Sequence, residues 1–177
     1  MIIDEFDATS DGNVCPQYDV GSASAVGDED CLNINVYTPN IDGKKRPVMV
    51  YLHGGAFIMG GGASYFFGPN YLIEHDVLLV TFNYRLGAFG FLATDDKASA
   101  GNMAILDQIT ALKWVQKNIE KFGGDPSQVT IFGEDSGAAS ASILILSPLA
   151  EGKRLITLFT LYNLCQQLLK LKQNVGV

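Results

Sequence analysis

Residues 129–140 read VTIFGEDSGAAS. Val129, Thr130, Ile131 and Phe132 form a short apolar, β-branched run of the kind that makes a buried strand. Residues 138–146, AASASILIL, are small and then apolar, which suits a helix packed closely on a sheet. Only Gly133-Glu134-Asp135-Ser136-Gly137 separates the two, so the chain has to pass from strand to helix in one sharp turn. Glycine at the first and last of these five positions lets strand and helix approach closely, and the frame puts Asp135 at the tip with Ser136 directly after it. A strand running straight into a helix is the repeating unit of an α/β fold.

The segments on either side repeat the unit. Across residues 102–122 the apolar residues Ile105, Ile109, Leu112, Val115, Ile119 and Phe122 recur at three- and four-residue steps, placing a stripe on one helical face. Gly123 and Gly124 end it, as glycine does at helix C-termini, and Asp125-Pro126-Ser127 turns the chain into the strand at 129–132. Upstream, 48–52 and 77–82 are nearly continuous apolar runs that predict strands covered on both faces of a parallel sheet. Residues 32–37 alternate apolar and polar, predicting a half-buried strand, and the turn-rich PNIDGKKRP at 39–47 predicts a hairpin-like connection to the next one. A short crossover helix is expected at 71–75. The Gly60-Gly61-Gly62 run is expected as a flexible loop, and it lacks the lysine and Ser/Thr of a phosphate cradle. The prediction is an α/β fold with a mostly parallel sheet flanked by helices.

Composition narrows the function classes. The 177 residues are 47% hydrophobic and 18% charged, enough for one substantial core. A net charge of −7 excludes the basic footprint of a nucleic-acid binder. The longest apolar stretch, LITLFTLYNLC at 155–165, is well short of the roughly 20 residues that span a bilayer. The first residues show no basic region followed by an apolar segment, so no secretory signal is read. Cys15, Cys31 and Cys165 have no metal-ligand spacing, and the two histidines, His53 and His75, stand alone, so no metal or cofactor is expected. Asp7, Asp11 and Gly12 imitate part of a calcium loop, but Thr9 and Tyr18 occupy ligand positions that need carboxylates.

The remaining motifs form a series: EDCLNINVYTP, YLHGGAF, NYRLGAFGFL, DQITALKWVQKNIEKFGGDPSQVTIFG and GAAS. In order and context this series resembles the type-B carboxylesterases, the cholinesterase-like branch of the α/β-hydrolases. The resemblance covers residues 6–152. It implies a partial α/β-hydrolase fold, truncated at both ends, and a class of enzymes, often secreted, that cleaves carboxylic esters through serine-type acyl transfer. It implies an oxyanion hole from the backbone N–H groups of Gly55, Ala56 and Ser136, a disulfide between Cys15 and Cys31, and a structural ion pair between Arg85 and Asp107. Residues 1–152 are expected to be the N-terminal part of the esterase domain. Residues 153–177 are expected to depart from the family as an apolar tail, with Leu155, Leu158, Phe159, Tyr162 and Leu169 marking a helical face. By the same resemblance the strand at 129–132 should lack its next neighbour. The exposed sheet edges then become candidate sites for a protein partner.

The departures bear on activity. A serine hydrolase needs a nucleophile at the turn, a histidine to take its proton and an acid to orient that histidine. Here the nucleophile position holds Asp135, and no histidine follows residue 75. Ser136 would need small residues at 134 and 138, and Glu134 fails that requirement. Asp135 acting as nucleophile would still require a histidine to activate water and release the ester. Loss of nucleophile or base costs on the order of a millionfold, about 8 kcal/mol. The chain is therefore expected to be catalytically incompetent. The alternatives are a non-catalytic binding or adhesion module and a non-functional truncated product.

Overall fold

The computed structural model describes residues 8–96 and 98–150, together with the backbone of 155–160. The apolar runs become strands in a five-stranded sheet. β1 (Gln17–Asp19) and β2 (Ser24–Val26) form a separate small antiparallel pair, followed by β3 (Ile34–Tyr37) and β4 (Arg46–Leu52). A short helix, α1 (Ser64–Phe67), precedes β5 (Leu78–Phe82), and α2 (Gly87–Phe91) and α3 (Met103–Asn118) follow it. Then come β6 (Gly124–Glu134), α4 (Ser136–Leu146) and β7 (Leu155–Thr160). The sheet order is β3-β5-β4-β6-β7, with β3 antiparallel and the other pairings parallel.

Burial explains the arrangement. All five residues of β5 are buried, so that strand is covered on both faces, while Val48, Val50, Leu52, Val129 and Ile131 bury one face of β4 and β6, whose Met49, Thr130 and Phe132 on the other face are half-buried. The α3 stripe of Ile105, Ile109, Leu112 and Val115 packs into the same core, and Gln108 donates to Ser140 Oγ at 3.0 Å to join α3 to α4. The helix ends where glycine was expected to end it: after one further tight turn, Gly123 takes φ 83°. Because every parallel strand runs the same way, the turn after β6 and the loop after β4 lie together at the C-terminal end of the sheet.

The structure corrects four expectations. Residues 39–47 do not connect a hairpin, because β3 pairs with β5 in the register Ile34↔Phe82 and leaves β4 to pair with β5 and β6. The helix expected at 71–75 is a single tight turn, Ile73–His75, ended by Asp76 at φ 58°. The glycine run at 60–62 is tied down: Gly60 exchanges hydrogen bonds with the Gln17 amide, Gly62 N–H donates to Asn83 Oδ1, and Thr81 Oγ1 donates to the Gly62 carbonyl. Finally, β6 does not lack its next neighbour. β7 lies parallel to it from Val129↔Leu155 to Glu134↔Thr160, so residues 155–160 form a strand rather than the start of a helix. LITLFT contains two β-branched threonines, an isoleucine and a phenylalanine, which favour an extended chain beside a parallel neighbour. Tyr162 and Leu169 of the expected helical face lie outside the described residues.

Candidate functional site

The turn between β6 and α4 is built by exclusion of side chains. A Cβ on Gly137 would fall 2.0 Å from the Leu52 carbonyl oxygen, and one on Gly133 would fall 2.5 Å from the same atom. These glycines let the turn press against the end of β4, and they fix the frame in which Asp135 is the central residue. Asp135 has φ 51° and ψ −122°, a backbone conformation that L-residues adopt only under constraint. The side chain of Asp135 is exposed, whereas Ser136 is buried beneath the turn. Ser136 Oγ lies near Tyr84 and Asp135 but makes no hydrogen bond of ordinary geometry.

Facing the turn is the loop after β4. Gly54 lies flat against it, since a Cβ there would fall 3.0 Å from the Glu134 carbonyl oxygen and 3.1 Å from Asp135 Cβ. Gly55 at φ 119°, Ala56 at φ 53° and Phe57 at φ 63° turn the backbone N–H groups inward, the geometry of an anion-binding concavity. That concavity is filled from within. Asp135 Oδ2 accepts hydrogen bonds from Gly55 N–H at 3.0 Å and Ala56 N–H at 2.8 Å. The N–H groups of Ala56, Gly55 and Ser136, in that order of effect, hold the carboxyl group below its usual range. The three residues expected to supply an oxyanion hole thus converge on one carboxylate, which belongs to the chain itself.

His53 sits behind this loop. Its Nδ1 is 2.8 Å from the Gly54 carbonyl oxygen, its ring stacks on Tyr84 with centroids 4.2 Å apart, and burial pushes its pKa down to about 4. Asp135 has no imidazole beside it among the described residues: His53 is sealed in the core, and His75 precedes β5 at the opposite end of the sheet. Sequence reasoning did not single out Tyr84, although it supplies both the stack on His53 and a hydrogen bond to the His53 carbonyl. Its only signal was its place in the NYR motif directly after a strand.

The other expected residues are also placed. Cys15 and Cys31 are joined by a disulfide and buried. Arg85 meets Asp107 through two parallel bonds, Nε to Oδ2 at 2.8 Å and Nη2 to Oδ1 at 2.7 Å, while Arg85 N–H also donates to Oδ2. This pair ties the segment after β5 to α3. Among the described residues no helix is long and apolar enough to cross a membrane, and no group of three or more His, Cys, Asp or Glu residues could hold a metal ion.

Similarity to known proteins agrees with this layout. Over 147 residues the chain is 48% identical to juvenile hormone esterase from Tribolium castaneum, covering 81% of this chain and 25% of that protein. It is 45% identical over 157 residues to para-nitrobenzyl esterase from Bacillus subtilis (strain 168), covering 84% and 32% of the two chains. The solved structure of juvenile hormone esterase from Manduca sexta, with OTFP covalently attached, superposes with a TM-score of 0.80 at 38% identity. That superposition covers 98% of this chain and 36% of the other. The chain therefore spans between a quarter and about a third of these relatives. Its fold is part of the α/β-hydrolase fold they share. The sequence model of the Carboxylesterase family matches residues 3–159, and the chain belongs to that family of carboxylic ester hydrolases.

Proposed function

We propose that this chain is a non-hydrolysing member of its family, in which the ester site keeps its architecture but holds its own carboxylate in place of a substrate oxyanion. The supporting observation is the pair of hydrogen bonds from Gly55 and Ala56 to Asp135 Oδ2. In this reading Gly55, Ala56 and Ser136 are the oxyanion-hole donors and Asp135 stands at the nucleophile position. The Arg85–Asp107 pair is structural. An ester carbonyl entering the hole must displace a charged acceptor. Charge-assisted hydrogen bonds are worth about 1.5 kcal/mol each at an exposed site, more than a neutral carbonyl returns.

Among the described residues no imidazole stands beside position 135, since His53 is buried and His75 lies at the far end of the strands. The test is hydrolysis of p-nitrophenyl esters by the purified chain and by Asp135→Ser. The expected result is neither a burst nor turnover above buffer in either protein. Multiple turnovers abolished by Asp135→Asn would overturn the reading.

A protein partner at the sheet margin is the second reading. It is favoured by β7, whose LITLFT sequence carries neither charge nor proline to discourage strand addition. Light scattering over a concentration series tests self-association through that edge, and a strictly monomeric chain at every concentration would count against it.

A further inference from the structure

We propose that the outer flank of α4 is a docking surface for residues 161–175 of the same chain, which fold back along it as an amphipathic helix. The last turn of α4, Ile143-Leu144-Ile145-Leu146, is apolar on every side, a pattern that calls for neighbours all round. Leu144 is in the core, and Ile143 faces an apolar groove shared with Ile105 and Ile109 of α3. Ile145 stands about 200° further round the helix than Ile143, on the flank away from α3. Ile145 and Leu146 remain 49% and 73% exposed, and Ser142 lies half-buried one turn before them.

The chain itself supplies a segment of matching length and pattern. The connections β5 to β6 and β6 to β7 advance in one direction across the sheet, so right-handed crossovers put α3 and α4 on one face. The bond from Gln108 to Ser140 agrees with that placement. A chain leaving β7 with the same hand turns onto the same face, on the side of α4 where Ile145 is exposed. With 155–160 in β7, a helical register starts at Leu161. From there Leu161, Leu164, Cys165, Leu168 and Leu171 recur at three- and four-residue steps, while Asn163, Gln166, Gln167 and Lys170 fall opposite. Such a helix would be about 22 Å long, enough to run the roughly 16 Å of α4. Lys172 breaks the stripe only past the end of α4. The segment carries Lys170 and Lys172 and no acidic side chain, so a chain of net charge −7 attracts it.

Cys165, the thiol outside the Cys15–Cys31 disulfide, reports docking in the full chain. In the folded protein it is expected to react with dithiobis-nitrobenzoate about tenfold or more slowly than in urea. Leu146→Asp on α4 and Leu168→Asp in the segment, each checked for folding by circular dichroism, should each restore most of that rate. Under mild oxidation Ser142→Cys should link to Cys165 within one chain, whereas Lys117→Cys, exposed on α3, should not. A folded-state rate equal to that in urea, or one that neither aspartate variant changes, would overturn the inference. So would a link to position 117, and links between chains or protection that grows with protein concentration would assign the flank to a second copy instead. None of these outcomes bears on the hydrogen bonds to Asp135 behind the proposed function.

Discussion

Tyr84 stacks on His53 at 4.2 Å, only 9° from parallel, and its hydroxyl donates to the His53 carbonyl oxygen at 2.6 Å. Both residues are buried. The pair therefore clamps the strand end from which the Gly54–Gly55 loop departs, behind the site rather than in it. Removing only the hydroxyl, with Tyr84→Phe, keeps the stack and strands a buried carbonyl. The expected cost is about 1–3 kcal/mol in urea unfolding. A change below a few tenths of that would show that the hydroxyl contributes nothing to holding the loop.

The imidazole itself predicts a pH dependence. Burial lowers the His53 pKa to about 4 from the ordinary value of 6.5. Above about pH 6.5 neither the folded nor the unfolded chain binds this proton, and the group contributes no slope. As pH falls from there to about 4, the unfolded chain takes up a proton that the folded chain refuses, so stability declines, by roughly 3 kcal/mol in all. Proton NMR should find the His53 ring neutral until about pH 4. A midpoint near 6.5 in the folded protein would refute the assignment of a sealed imidazole.

The disulfide makes a third prediction. Cys15 and Cys31 are separated by 16 positions in sequence, and linking them removes loop-closure freedom from the unfolded chain. Replacing both with serine, or reducing the bond, should cost about 3 kcal/mol. Denaturant titrations with and without dithiothreitol measure it directly, and identical midpoints would mean that restricting the unfolded chain contributes nothing to stability.

What could be read in advance followed from local constraint. Gly133 and Gly137 identified the turn because strand and helix touch there, and the α3 stripe was legible because its face lies in the core. The pairing of β3 was not legible: an alternating strand names its buried face but not its neighbour, and the turn-rich loop after it joins two strands that β5 separates. Residues 155–160 misled for a related reason. A short apolar run fits a helical stripe or a buried strand equally well, and only the sheet position beside β6 decides between them. The carboxylate inside the N–H concavity was beyond reach because it depends on Asp135 and Ala56, 79 positions apart.

That long-range contact predicts local dynamics. Ala56 and Phe57 hold positive φ without being glycine, a strained arrangement stabilised by the bonds to Asp135. Asp135→Ala should free the Gly55 and Ala56 amides, raising their hydrogen-exchange rates about tenfold or more while leaving those of β5 unchanged. Asp135→Asn, which keeps one amide carbonyl oxygen, should fall between the two. Unchanged protection in the alanine variant would show that the loop holds its shape without the carboxylate.

The frame of the turn can be tested by adding single methyl groups. In Gly137→Ala the new carbon would lie 2.0 Å from the Leu52 carbonyl and 2.8 Å from the His53 carbonyl, both backbone atoms that cannot swing away. Strand β4 and helix α4 must then separate, at an expected cost of about 3 kcal/mol or failure to fold. Gly43 is the matched control. Its φ is 84° but nothing lies within 4 Å of where a Cβ would stand, so Gly43→Ala carries only the conformational penalty of about 1 kcal/mol. Comparable losses in the two variants, read from urea midpoints, would mean that the turn tolerates a wider approach and that Asp135 is not pinned at its tip.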